Sequence, residues 1–191
     1  MISVFKYGTS KEKVAWRRPS KNEIALDVDG SSFRNLGRAG YGGVVRDYKG
    51  EWLRGFSGPI EFAIGFANSL EAELEAIKHG LLFAWEYGYK QISCRSDCTQ
   101  ALTLIRKYQP DDDTRPSFMI QQNIQIIEEI EELVSRDWVV ELSHTFREGN
   151  KCADYMAKLG AKGVKDVCVS PPDGLFSLYH NDLMGIGYER P

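Results

Sequence analysis

Ile24-Ala25-Leu26-Asp27-Val28-Asp29, with Gly30-Ser31-Ser32 behind it, is the stretch on which the fold turns. Ile24, Leu26 and Val28 alternate with Ala25, Asp27 and Asp29, the period of two that marks a strand with one buried face. Gly30-Ser31-Ser32 reads as its end. Gly40 to Asp47 and Trp52 to Ser57 flank the polar turn Tyr48-Lys49-Gly50-Glu51, an antiparallel hairpin. From Asn68 to Tyr89 the period changes: Leu70, Leu74, Ile77, Leu81, Ala84 and Trp85 fall at helical spacing, with Gly88 as the stop. Lys90 to Asp97 returns to a strand pattern, and Thr99 to Tyr108 is a short helix closed by Pro110 and Asp111-Asp112-Asp113. Phe118 to Ser135 is an amphipathic helix, Trp138 to Phe146 a strand, and Asn150 to Gly163 a final helix with Asn150 as its expected N-cap.

Three strands followed by alternating helices and strands predict an α/β domain: a five-stranded mixed sheet, three N-terminal antiparallel strands plus two more, flanked by helices. The expected organisation is a basic N-terminal arm over 1–22, one domain over 23–165 and a loop-rich tail over 166–191, which opens near Ser170-Pro171-Pro172-Asp173-Gly174. No internal repeat is visible.

The 191 residues are 42% hydrophobic and 27% charged, an ordinary globular balance that excludes global disorder. No run approaches the ~20 apolar residues that span a bilayer, so no membrane partner is expected. Four scattered cysteines (Cys94, Cys98, Cys152, Cys168) fit a reducing, intracellular setting, nucleus or cytoplasm. Their spacing, with His144 ahead of Cys152, matches no familiar zinc pattern. The net charge of -3 argues against a protein that coats nucleic acid by charge alone. Charge is segregated, however. Lys6, Lys11, Lys13, Arg17, Arg18 and Lys21 face Glu12 alone in the first 22 residues, a local +5 that leaves -8 for the remainder. That arm reads as a solvated surface, a nucleic-acid contact or an organelle presequence.

Four carboxylates stand in telling places. Asp29 ends the first strand beside Gly30; a turn cap is its ordinary explanation. Glu73 lies within about 60° of Leu70, Ile77 and Ala84 on the helical wheel, at the edge of the apolar stripe. An ionised carboxylate there requires a buried cationic partner or a bound cation. Asp97 ends the fourth strand, where ligands gather in open sheets, or else caps the next helix. Asp154 sits in the first turn of the last helix, which favours an acid in any case. Four acids on four elements that can meet at one sheet edge repel one another, and divalent cations relieve this. Mg²⁺ takes oxygen ligands, and two such ions about 4 Å apart clamp an in-line phosphoryl displacement. That is phosphodiester chemistry.

The blocks Asp27-Val28-Asp29-Gly30-Ser31-Ser32, Ala39 to Asp47, Ala72-Glu73-Leu74-Glu75-Ala76-Ile77, Arg95-Ser96-Asp97 and Arg147-Glu148-Gly149-Asn150-Lys151-Cys152-Ala153-Asp154 closely resemble the type-1 ribonuclease H family. Within it they are most similar to the ribonuclease H-like domains of plant retrotransposon-derived proteins. The likeness runs from about Val14 to Leu183. It implies a ribonuclease H-like fold and a metal-dependent endonuclease that hydrolyses the RNA strand of an RNA/DNA hybrid, leaving 5′-phosphate and 3′-hydroxyl ends. It further implies that Asp29 bridges two Mg²⁺ ions (Mn²⁺ being an alternative), that Glu73 and Asp97 complete the shell with water, and that Asp154 holds the metal that activates the attacking water. Gly30, Ser31, Ser32 and Ser69 would contact ribose 2′-hydroxyls, with Arg147 and Asn150 as further substrate-binding candidates.

Three departures stand out. Many family members carry a loop His before the last helix; here the loop is the short Arg147-Glu148-Gly149-Asn150, and the pattern leaves His144 on a strand. Arg147 would serve in its place as a phosphate contact. The stretch corresponding to the family's basic protrusion offers Arg106 and Lys107 among acids, including Glu128, Glu129, Glu131 and Glu132, so grip on substrate should be weak and salt-sensitive. Asp27 replaces an expected Asn, with the expectation that it raises neighbouring pKa values or draws extra cation. Two function classes remain open: an active hybrid ribonuclease, or a domesticated domain that binds nucleic acid or a protein partner without cleaving. Protein partners are unspecified by the sequence.

Overall fold

The computed structural model describes residues 12–33, 37–61, 69–108 and 117–190. Lys6, Lys11 and the acidic loop Asp111 to Asp113 lie outside them. The elements are β1 (Lys13–Val14), β2 (Ile24–Phe33), β3 (Arg38–Arg46), β4 (Trp52–Ile60), α1 (Ser69–Glu86), β5 (Gln91–Ser96), α2 (Thr99–Lys107), α3 (Phe118–Val134), β6 (Val139–His144), α4 (Lys151–Ala161), β7 (Asp166–Cys168), α5 (Phe176–Leu183) and β8 (Tyr188–Glu189). Two 3-10 turns, Arg147–Gly149 and Asp173–Leu175, precede α4 and α5.

The main sheet has six strands in the order β6-β5-β2-β3-β4-β7, one more than expected. β2, β3, β4 and β7 pair antiparallel in succession, while β5 and β6 join β2 in parallel. The added strand is β7, which lies in the region read as tail and closes the outer edge of β4. β2 also overruns its expected end: Ser31 and Ser32 stay in the ladder opposite Gly40 and Ala39. Small residues end a strand only when nothing pairs with them, and here β3 does.

Helices cover both faces. On one, α1 lays Leu70, Leu74, Ile77, Leu81 and Ala84 against Leu26, Val28, Ile92 and Cys94, with α2 and α3 adding Leu102, Ile105, Ile127 and Ile130. Each such side chain contributes roughly 1.5–3 kcal/mol on burial. On the other, α4 brings Cys152 and Met156 against Val44 and Leu175. Both helices approach the backbone of the sheet directly. A Cβ built on Gly30 would lie 2.3 Å from the Ala72 carbonyl carbon, and one on Gly42 2.2 Å from the Ala157 nitrogen. These glycines hold α1 and α4 close to β2 and β3.

The first and last described segments are structured too. β1 pairs antiparallel with β8 in a separate two-stranded sheet. Residues 166–190 hold two strands and a helix where a loop-rich tail was expected, because Leu175 is buried and Asp182 is a buried anchor. Asp182 Oδ2 accepts from Arg46 Nη1 at 2.8 Å and from Cys152 Sγ at 3.2 Å. Arg46 Nη2 and Trp16 Nε1 both donate to Asp27 Oδ2 at 2.8 Å, and Arg95 Nε donates to Asp27 Oδ1 at 2.7 Å. Arg46 stacks over the Trp16 ring at 3.8 Å. One buried charged network therefore joins the N-terminal segment, three strands, α4 and α5. Asp27 draws its cations from the chain itself: burial opposes its ionisation, but Arg95 and Arg46 hold its carboxyl below the ordinary range. As expected, its charge in turn helps raise neighbouring groups, among them Arg46, Cys94, Cys152 and Asp182.

Candidate active site

Asp29 sits on β2 and is nearly closed to solvent; Glu73 lies on the buried face of α1; Asp97 follows β5 immediately. One carboxylate oxygen from each lies within 4.8 Å of the others, a spacing that could hold a metal ion, and this is the one such trio found among the described residues. The parallel pairing of β2 with β5 brings the ends of both strands to one edge, and the Gly30 contact carries Ala72 and Glu73 to that edge. The Gly30 backbone N–H also hydrogen-bonds the Glu73 carboxylate.

Asp97 is not spent on capping. The residue that caps α2 is Cys98, whose Sγ accepts from the Ala101 N–H at 3.4 Å, while Ser96 Oγ accepts from the Cys98 N–H at 3.1 Å. Asp97 is thereby left to face Asp29, Glu73 and Arg147.

The electrostatics follow from crowding three acids in a mostly buried site. Burial, then the negative charges of Glu73, Asp97 and Asp154, push Asp29 well above the ordinary carboxylate range. Burial, then Asp97, raise Glu73 to about 8, against the opposing Gly30 N–H and Arg147. Glu73 Oε2 is buried and has no hydrogen-bond partner among the described residues. An all-oxygen donor set, partly desolvated, mutually repelling and with one orphaned oxygen, fits a hard divalent cation.

Asp154 stands differently from its expected company. It occupies the first turn of α4, half-buried, and its Oδ2 is 2.6 Å from Lys158 Nζ one helical turn on. Its charge still bears on Asp29 and Glu73, but three carboxylates, not four, converge in the structure.

Arg147 Nε lies 3.4 Å from Asp97 Oδ2, with the Arg147 side chain 87% exposed. Ser69, Leu70, Glu73, Asp97, Cys98, Gln100 and Arg147 line a cavity of about 280 Å³. Ser69 lines this cavity with Glu73 and Asp97, and Gly30, Ser31 and Ser32 are half-buried in β2. Asn150 does not qualify as a substrate contact. It is 1% exposed, its Nδ2 donates to the Val28 carbonyl at 3.0 Å, and it makes no side-chain cap to α4. It ties the start of α4 to β2 one residue before Asp29. His144 ends β6, exposed and edge-on to Phe146. Cys98 and Gln100 are site residues that sequence reasoning missed; the signal was the Asp97-Cys98 pair at a strand-to-helix turn.

No helix among the described residues is long and apolar enough to cross a membrane. The reverse transcriptase-like family model matches residues 27–160. A protein of Arabidopsis thaliana whose name assigns it provisionally to the ribonuclease H proteins is 30% identical over 178 residues, 90% of this chain. The chain spans 26% of the length of that relative. Among solved structures, the N-terminal ribonuclease H domain of rv2228c from Mycobacterium tuberculosis superposes with a TM-score of 0.59 at 20% identity, covering 73% of this chain and 94% of that one. RNase H1 from the archaeon Halobacterium salinarum gives 0.59 at 22% identity, covering 73% and 98%. LC11-RNase H1 in complex with an RNA/DNA hybrid gives 0.53 at 24% identity, covering 73% and 96%. At these identities the structures speak for the fold.

Proposed function

The chain belongs to the reverse transcriptase-like family of ribonuclease H-type domains, and from that we propose that it hydrolyses the RNA strand of RNA/DNA hybrids with two Mg²⁺ ions, Mn²⁺ substituting. The observation that carries this reading is the convergence of Asp29, Glu73 and Asp97 within 4.8 Å at a sheet edge. A solved relative of the same fold is held on an RNA/DNA hybrid, which supports the substrate class.

In this reading Asp29, Glu73 and Asp97 would hold the cations, and Asp154 would join them from the rim if freed from Lys158. Bound Mg²⁺ would supply charge neutralisation at the scissile phosphate and a water of lowered pKa. The chain's own residues do the rest. Buried Asp29 and Glu73 present oxygens that no solvent shell screens. Asn150 fixes α4 against β2 so that Asp154 stays near Asp29. Arg147 offers a guanidinium to a non-bridging phosphate oxygen. Ser69 at the cavity wall and the Ser31-Ser32 edge of β2 are the groups positioned for a 2′-hydroxyl, the feature that separates RNA from DNA.

A second reading, binding without cleavage, is favoured by the Lys158 contact, which leaves the trio without its fourth acid. The full chain incubated with end-labelled hybrid in Mg²⁺ or Mn²⁺, beside Asp97→Asn, separates the two. Cleavage lost in the variant is expected. Equal cleavage by both proteins, or none by wild type in either ion, would overturn the hydrolytic reading.

A further inference from the structure

We propose that the two chain ends build a phosphate-gripping platform for nucleic acid on the loop beside the acid cluster, taking the role that a basic protrusion has elsewhere. This rests on the hydrolytic reading for its substrate and goes beyond it by naming the surface that holds the hybrid.

The observations lie in one strip. Arg147 stands at Asp97, and Lys151, four residues on, lies 3.2 Å over the Tyr188 ring of β8. Arg190 stacks 4.6 Å over Phe146, the residue before Arg147, and its N–H bonds the Glu12 carbonyl. A Cβ built on Gly149 would meet the Ala15 carbonyl oxygen at 3.3 Å, so the N-terminal segment runs against the same 3-10 turn. Trp16 is pinned by Asp27, and Arg95 Nη1 donates to the Arg17 carbonyl, two residues before Asp97 in chain order. Lys13, Arg17 and Arg190 are exposed. Their backbones are fixed by the β1–β8 pair and the buried network, so little ordering is required when they meet a ligand.

Glu12, Glu148 and Glu189 share the strip, and the cations outnumber them. The acids Glu128, Glu129, Glu131 and Glu132 lie on α3 instead. Cations seated on aromatic rings beside the acid cluster match a phosphate backbone.

The test is fluorescence anisotropy of labelled RNA/DNA hybrid with the full chain in chelator, where nothing is cut, between 50 and 200 mM salt. Lys13→Gln/Arg17→Gln/Lys151→Gln should lower the slope of log affinity against log salt by roughly 0.9 for each phosphate contact removed. Lys90→Gln/Arg136→Gln, at the opposite end of β5 and β6, should leave it unchanged. If the triple variant melts early, Arg17→Gln alone carries the test, since only its backbone is engaged. A slope unchanged in the triple variant, or in Arg17→Gln where that replaces it, overturns the platform, as does equal loss with the Lys90/Arg136 control. Absent cleavage in Mg²⁺ with a lowered slope sinks the hydrolytic reading and leaves the platform standing.

Discussion

Asp27 and Asp29 lie two residues apart on one face of β2, both buried, yet their carboxyl groups are driven to opposite sides of the ordinary range. Burial raises both. For Asp27 the guanidiniums of Arg95 and Arg46 overcome it; for Asp29 the surrounding acids add to it. One strand thus carries a carboxyl group held ionised by two guanidiniums and a second that burial and neighbouring acids press toward its protonated form.

Asp27→Asn should destabilise the fold by about 3–5 kcal/mol at pH 7, because it leaves Arg46 and Arg95 buried with a weaker acceptor. The lowered folded pKa means this stability is present above the unfolded value near 3.8 and lost as pH falls through the folded one. Denaturant unfolding at pH 7 and pH 3 should show the variant's deficit shrinking in acid. A deficit below about 1 kcal/mol at pH 7 contradicts the network.

Glu73→Gln should stabilise the metal-free protein while abolishing cleavage. With Glu73 raised to about 8 from 4.5, the folded state keeps a proton that the unfolded chain gives up, so wild-type stability falls as pH rises between those values. The glutamine removes that slope. Thermal melts in chelator should show a gain of several degrees at pH 8 that vanishes toward pH 4.5. No pH dependence in the difference would contradict the crowding.

Arg147→Ala should reduce kcat/KM for hybrid roughly 10- to 100-fold, the scale of one lost charge-assisted hydrogen bond. It should also lower the Mg²⁺ concentration needed for half-maximal rate, since a competing cation leaves Asp97. Arg147→Lys should restore part of kcat/KM. Kinetics that shift only the Mg²⁺ requirement would remove Arg147 from substrate contact.

Gly30→Ala should cost about 1–3 kcal/mol or more, since its Cβ would fall 2.3 Å from the Ala72 carbonyl carbon and displace the turn that carries Glu73. Gly88→Ala provides the contrast. Its φ is +76° and nothing lies within 4 Å, so only backbone strain of about 1 kcal/mol applies. Equal losses at both positions would mean that the helix approach is slack.

The sheet, its helices and three of the site carboxylates were legible because each leaves a local mark. Leu26 and Val28 alternate, Leu70 to Ala84 repeat at helical spacing, and Glu73 intrudes on that stripe. What escaped is what short segments hide. β7 is three residues long and β8 two, too short for a period to show. The buried ionic tie of α5 to the core is Asp182, indistinguishable in sequence from a surface acid until Arg46 is seen 2.8 Å away. Asn150 and Asp154 were placed on the correct helix, but which partner each takes, Val28 or Lys158, depends on geometry that residue types do not encode.

The pairing of Lys13–Val14 with Tyr188–Glu189 closes the described residues almost into a ring. The backbones of residues 12 and 190 meet at one spot, beside Phe146. The module therefore behaves as a bead drawn shut by a single knot.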